Sequence, residues 1–232
     1  MRIKVIFISH ENEDFIEEQK RYRESLVSSG TAVEITSIKK GPETIEQNLD
    51  EILAAPGILH EVKLAEKEGA DAVVVDCALD PVLSALRECV RIPVIGAGQA
   101  AFSLAITLGE RFAIIAPLRC LLPAYRRRVS EYGLLQHLAS IRSIDIGIFD
   151  LLCRESLEAF IKEGALAVEK DGADVIVLGC TGMSPVIPEI KKQLDVPVID
   201  PAAAAISLAE TLIKMNLSHS PRSFPYKILI NN

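Results

Sequence analysis

Two cysteines stand where a thiol can do proton chemistry, Cys77 and Cys180. Each ends a stretch of the same form, GADAVVVDC and GADVIVLGC. The short apolar run in each reads as a buried strand too short for a helix of its own. A cap-plus-proline pair follows each one, Asp80-Pro81 and Ser184-Pro185, and reads as a helix start. The pattern predicts a thiol at the carboxyl end of a strand, beside a helix N-terminus. Open α/β sheets bind ligands there, and a helix N-terminus favours thiolate over thiol.

The copies extend beyond the cysteines. Ile92-Pro93-Val94-Ile95 answers Val196-Pro197-Val198-Ile199, and Ala100 to Ala105 answers Ala204 to Ala209. The offset is 103 residues at the cysteines and 104 afterwards. An internal repeat of this length predicts two related units. Related by a pseudo-twofold axis, they would hold Cys77 and Cys180 on opposite sides of one cleft. Such a pair can remove a proton from one face of a carbon and return one to the other. One sulfur acts as thiolate base and the other as thiol acid. Two nearby thiols resist double ionisation, which favours one proton shared between them.

The elements that position these residues alternate strand and helix. Ile3 to Ile8 reads as a strand, and a helix runs from about Asp14 to Ser29. Thr31 to Ile38 alternates and is rich in β-branched residues, so it reads as a second strand. Helical spacing begins at Ile45 and breaks at Pro56-Gly57, after which a second helix runs to Glu68. Arg111 to Ala116 restarts the pattern. A helix over 121–132, a strand near 141–148 and a helix over 155–170 lead to the Cys180 strand. A last helix spans 202–215, and Ile228-Leu229-Ile230 could pair on a sheet edge. This alternation predicts an α/β fold with parallel sheets. Two similar three-layer domains are expected, each with about four strands, facing each other across a cleft. The division expected is 1–97 plus 210–232 for the Cys77 domain and 98–209 for the Cys180 domain. Gly96-Ala97-Gly98 follows a strand and opens a helix, but Ala101 stands where a dinucleotide fingerprint needs a third glycine, so it reads as a plain turn.

Composition narrows the partners. Of 232 residues, 49% are hydrophobic, 5% are aromatic and none is Trp, with a net charge of −7. That excludes an aromatic nucleic-acid platform and gives no basic face for nucleic acid or an anionic membrane. The N-terminal apolar run is too short for a signal peptide, so the expected location is the cytoplasm. The expected partner is a small molecule, and a homo-oligomer stays open. Five cysteines without a secretion signal do not suggest a disulfide framework. Cys89, Cys120 and Cys153 have no counterpart in the repeat and read as packing residues. Neither the four histidines nor the cysteines show ligand spacing, so no metal and no cofactor is expected.

LGCTGM at Leu178 to Met183 and the DC-x-x-DP stretch at Asp76 to Pro81 resemble the hydantoin and allantoin racemases of the aspartate/glutamate racemase superfamily. IPVIGAGQAAF from Ile92, GERFAIIAP from Gly109 and Glu131 to Leu134 match as well. The resemblance implies a cofactor-independent two-base racemase with Cys77 and Cys180 as the catalytic pair. It departs from the family at Val82, where glycine is usual, at Gln99, where glutamate is frequent, and at Ser9-His10-Glu11-Asn12, where Asn-Pro-Asn is common. The superfamily's amino-acid racemases carry Asn-Thr after the first cysteine, whereas Ala78-Leu79 stand here. A neutral ring is therefore expected rather than a zwitterion. Ser9, His10, Ala78, Thr181 and Gly182 are the expected substrate-binding residues, with backbone N–H groups near Thr181-Gly182 meeting an enolate oxygen. An amino-acid racemase or isomerase on the same scaffold, or a two-lobed binding protein whose cysteines merely pack, remain alternatives.

Overall fold

The structure is a computed structural model, and it describes residues 1–8 and 13–227. Among the described residues, eight strands form two parallel sheets of four. The first sheet comprises β1 (Arg2–Phe7), β2 (Ala32–Ser37), β3 (Ala72–Asp76) and β4 (Val94–Gly96) in the order β2-β1-β3-β4. The second comprises β5 (Phe112–Ala116), β6 (Leu138–Ser143), β7 (Val175–Leu178) and β8 (Val198–Ile199) in the order β6-β5-β7-β8. The two orders correspond, so the repeat in the sequence is a repeat in the fold. β3 and β7 occupy the same interior position, and their residues are buried throughout. Continuous Val/Ile runs suit strands covered on both faces.

Eight α-helices among the described residues connect and cover the sheets. They are α1 (Glu13–Ser25), α2 (Asn48–Lys67), α3 (Leu83–Cys89), α4 (Ala97–Leu108), α5 (Leu122–Glu131), α6 (Arg154–Asp171), α7 (Ile187–Lys191) and α8 (Pro201–Lys214). The last helix of each repeat crosses over. α4 packs on β7 of the second sheet, α8 packs on β3 and β4 of the first, and the two helices lie against each other. One apolar core therefore runs through both halves. It takes in the first sheet, α4, α8 and one face of the second sheet through Phe112, Ile114, Val175 and Val177. The other face, with Ala113, Ile115, Ile176 and Leu178, forms a separate core with Phe160 and Ala167 of α6 and with Ile187 and Ile190 of α7. The alternation is the period of two that a strand imposes on its side chains.

Three local expectations are corrected. α2 runs unbroken through Pro56. The loss of one intrahelical hydrogen bond is offset by burial of Ala54, Ile58, Val62 and Ala65 on the helix's inner face. Gly57 is needed for a different reason: a Cβ there would lie 2.6 Å from the Lys40 carbonyl oxygen. The strand expected near 141–148 lies earlier, at β6. Asp80 does not cap the helix that follows it, because α3 begins only after Val82. Its carboxylate accepts hydrogen bonds from the backbone N–H groups of Gly98 (2.9 Å) and Gln99 (2.6 Å), so it caps α4 instead. Reaching that position puts Asp80 and Val82 in the left-handed region, at φ 50° and 48°. A β-branched residue is strained there, and glycine would not be. The expected sheet-edge segment Ile228-Leu229-Ile230 lies outside the described residues.

The close approach of Asp80 also accounts for Gly96-Ala97-Gly98. A Cβ on Gly96 would sit 2.4 Å from Asp80 Oδ1, and one on Gly98 would sit 2.2 Å from the Ala78 carbonyl oxygen. The α4 N-terminus is filled by the protein's own carboxylate. Gly98→Ala is therefore expected to destabilise the fold by about 2 kcal/mol, as overpacking against backbone does. Urea unfolding checks this: an unchanged midpoint would mean that Asp80 does not hold the helix end.

Candidate active site

Both cysteines lie just beyond the carboxyl ends of matching strands, Cys77 after β3 and Cys180 after β7. They line one cavity together with Ala78, Leu79, Thr181 and Gly182. The cavity has a volume of about 80 Å³. A single water needs roughly 10–15 Å³ on the same measure, so there is room for several waters or one small molecule. Most of the wall is apolar, with Phe7, Ile8, Ile16, Ile45, Pro117, Leu121 and Ile148. Ser9 and His10 lie outside the described residues; Ile8, immediately before them, is part of the wall.

The Cys180 turn differs from the expected loop-then-helix. Residues Thr181–Val186 form a 3-10 helix with Cys180 as its N-cap, and α7 follows directly. The sulfur itself caps the turn, accepting the Gly182 N–H at 3.3 Å. Ser184 is no cap. Its hydroxyl donates to Asp200 Oδ1 (2.5 Å), and Asp200 in turn caps α8 through the Ala202 N–H. In the first repeat the carboxylate is on the loop, at Asp80, and the helix start is Gly96. In the second repeat the hydroxyl is on the loop and the carboxylate is at the helix start. Each carboxylate also receives a tyrosine hydroxyl from the other half: Tyr132 donates to Asp80 at 2.6 Å and Tyr22 to Asp200 at 2.8 Å.

A buried polar network lies among the cavity residues, and sequence reasoning missed it. Arg23 of α1 and Asp76, the last residue of β3, each expose 1% of their side chains and form an ion pair at 2.8 Å. Arg23 also donates to the Thr181 carbonyl (3.0 Å), and it donates to the side-chain oxygen of Gln19. Gln19 donates onward to the Gly182 carbonyl at 2.7 Å. The Thr181 hydroxyl donates back to the Asp76 carbonyl at 3.2 Å. Tyr125 of α5 donates to the Gly179 carbonyl. The residues on either side of the two cysteines are thus tied to each other through α1. A signal existed: Ile16, Gln19 and Arg23 fall at the spacing of one helix face, where Gln and Arg occupy positions that usually hold apolar residues.

The electrostatics correct the expectation of a favoured thiolate. Burial pushes the Cys180 thiol up to about 11. The Gly182 N–H and the Arg23 charge pull it down, and the Asp76 charge pushes it up. Burial pushes the Cys77 thiol higher still; the Leu79 N–H opposes this, while Cys180, Asp80 and Asp76 add to it. Two N–H donors do not offset the loss of hydration around the sulfurs. Of the remaining cysteines, Cys89 is buried and Cys153 caps α6, but Cys120 is exposed rather than packed. Among the described residues, no group of three or more His, Cys, Asp or Glu side chains is placed to hold a metal ion. None of the described helices is long and apolar enough to cross a membrane.

The chain is similar to known proteins. The family model for Asp/Glu/hydantoin racemases matches residues 12–209. A hydantoin racemase from Rhizobium meliloti is 40% identical over 174 residues, covering 74% of this chain and 72% of its own. One from Pseudomonas sp. is 36% identical over 193 residues, covering 82% and 78%. An allantoin racemase from Klebsiella pneumoniae has a solved structure that superposes with a TM-score of 0.92 at 31% identity, covering 100% of this chain and 96% of that one.

The raised thiols have a measurable consequence. A free cysteine ionises near pH 8.5, whereas Cys180 does so near 11 and Cys77 above it. With no substrate bound, both should alkylate with iodoacetamide more slowly than exposed Cys120 at pH 7.5, and Cys180 should gain reactivity first as pH rises. Peptide mapping after alkylation over a pH series checks this. A Cys77 that reacts before Cys180, or either one with an apparent pKa near 7, would contradict it.

Proposed function

We propose a substrate class and a mechanism for this chain, which belongs to the Asp/Glu/hydantoin racemase family and whose reaction class is therefore racemisation. The substrate is a hydantoin-like cyclic ureide, and Cys77 and Cys180 are the two bases. The observation that supports this most is that two cysteines at matching strand ends line one small cavity. A racemase must reach both faces of one carbon, and a pseudo-twofold pair of sulfurs does so without a moving part.

The lining favours a neutral ring. An amino-acid substrate brings a carboxylate that needs polar donors, and a free cation is the strongest of these. Arg23, the cation among the described lining residues, is already committed to Asp76, to the Thr181 carbonyl and to Gln19. Apolar walls and Ala78-Leu79 suit an uncharged ring with amide edges. The named relatives that act on hydantoin and allantoin point the same way.

In the proposed reaction one cysteine is thiolate. It takes the hydrogen from the ring carbon between N–H and carbonyl, and the electron pair moves into the carbonyl as an enolate. Backbone N–H groups near Thr181-Gly182 meet the enolate oxygen. The other cysteine, a thiol, gives its proton to the opposite face. One proton is taken up and one released, so the pair keeps one proton throughout and needs only to exchange roles between turnovers. Strong burial has a use here. A thiolate that is costly to form is also a stronger base, and burial raises its proton affinity toward that of a carbon acid.

Each sulfur reaches one face, so each single variant should fail differently. Cys180→Ser is expected to lose racemisation by at least the roughly 10²–10⁴-fold that a general acid or base contributes. In heavy water it should still exchange the ring hydrogen of one enantiomer with retention, through Cys77. Cys77→Ser should do the same for the opposite enantiomer. Polarimetry on 5-substituted hydantoins and allantoin, with proton NMR for the exchange, reads both. Near wild-type racemisation by either variant, or exchange of the same enantiomer by both, would rule out the facing-thiol mechanism. Turnover of aspartate or glutamate, with none of the ureides, would rule out the substrate class.

A further inference from the structure

The oxygen acceptors around the two cysteines are nearly all spoken for. The Thr181 carbonyl is used by Arg23, the Gly182 carbonyl by Gln19 and the Gly179 carbonyl by Tyr125. The Asp76 backbone carbonyl accepts from the Thr181 hydroxyl. Asp76 Oδ2 is held by Arg23 at 2.8 Å. Asp76 Oδ1 is different: it is buried and no donor meets it in hydrogen-bond geometry, because the nearby Thr181 hydroxyl spends its one hydrogen on the Asp76 backbone carbonyl. A buried carboxylate oxygen without a donor is costly, and native structures rarely leave one so unless a bound group completes it.

The backbone puts this oxygen in a telling place. Cys77 N–H donates to the Val75 carbonyl, so the chain makes a tight three-residue turn centred on Asp76. That turn ends the strand's alternation, and Asp76 and Cys77, consecutive in sequence, both line the cavity. Arg23 holds the carboxylate from its other oxygen and fixes its orientation. Burial raises the Asp76 carboxyl, and the charge of Asp200, which receives the Tyr22 hydroxyl, adds to it; the charge and hydrogen bond of Arg23 and the nearby Thr181 hydroxyl oppose them.

We propose that Asp76 Oδ1 is a substrate-binding acceptor, and that it takes the ring N–H bonded to the reacting carbon. The assignment deepens the cyclic-ureide reading and rests on it. Cys77 must reach the hydrogen on that carbon, and its immediate neighbour Asp76 then meets the atom next to that carbon. A hydrogen bond to a charged acceptor there fixes the rotation of the ring in its own plane. It presents the hydrogen to one sulfur and the vacated face to the other. It also excludes rings that lack this N–H, because the oxygen would then stay unpaired.

The test uses three substrates: 5-benzylhydantoin, its derivative methylated on the nitrogen bonded to the reacting carbon, and its derivative methylated on the imide nitrogen. For the wild-type protein, kcat/KM should fall at least about 10-fold on the first derivative, the size expected for a lost charged hydrogen bond, and change little on the second. Asp76→Asn combined with Arg23→Gln removes both buried charges together. In that variant the parent should fall to the level of the first derivative, and methylation there should cost nothing more. Asp76→Asn alone replaces the double variant if the latter does not fold. Equal turnover of all three substrates by the wild type would overturn the assignment, since a water would then suffice at Oδ1. So would a loss confined to the imide methyl, or a methyl penalty that persists undiminished in the variants and is therefore steric. Failure of the wild type on all three, parent included, would instead strike the cyclic-ureide reading itself.

Discussion

The geometry between the two cysteine turns depends on one buried ion pair. Arg23 and Asp76 are almost wholly removed from water, and an isolated charge in that place would be prohibitively costly. The guanidinium is kept there because its donors are engaged: Asp76 Oδ2, the Thr181 carbonyl and Gln19 share it. The guanidinium also lies 5.1 Å from the centre of the Phe7 ring. Hydrophobic contacts alone would leave the two strand ends free to slide, because apolar packing has little directionality. A planar guanidinium with three directed contacts does not slide. It links the residue before Cys77 to the residue after Cys180, so the distance between the two turns is set by hydrogen-bond lengths.

A second set of contacts works at larger scale. α4 and α8 each leave their own repeat and pack on the other sheet. Their N-termini are held by Asp80 and Asp200, and those carboxylates are held by tyrosines from the opposite halves. The two arrangements are equivalent in outcome but not in residues. One repeat carries the acid on the loop and glycine at the helix start. The other carries serine on the loop and the acid at the helix start. Either version leaves one buried carboxylate with an N–H and hydroxyl donors, which is what satisfaction of a buried acid requires. Such an exchange lets a repeat drift in sequence while its fold stays constant.

This drift explains what could be read in advance and what could not. The strand runs before Cys77 and Cys180, the matching order of elements and the two sheets follow from apolar periodicity and from the repeat, both of which survive divergence. The role of Asp80 did not follow, because an Asp-Pro pair reads as a local cap, whereas its real partner is 18 residues on, at Gly98. Pro56 was misread for a similar reason: local propensity argues for a break, and burial of the helix's inner face overrides it. Arg23 and Gln19 stand in a helix whose charged residues look solvated. Their spacing with Ile16 is the one local sign that they turn inward; only the tertiary placement of Asp76 and the Thr181-Gly182 carbonyls makes that burial tolerable.

The two halves are alike in fold but not in electrostatics, and that difference bears on how a two-thiol site starts a turnover. Burial raises both thiols, Cys77 the further, and the Asp76 charge raises both as well; Asp80 adds to this only at Cys77, and the Arg23 charge opposes it only at Cys180. In the proposed mechanism this order makes Cys180 the sulfur that gives up its proton first and Cys77 the one that keeps it. One enantiomer then meets a ready base, and the other meets a site whose proton must first move from Cys77 to Cys180. At equilibrium the substrate's enantiomers are equal in energy, so this asymmetry cannot favour either product. It can only divide the barrier differently between the two directions, appearing in kcat and KM separately while their ratio stays matched.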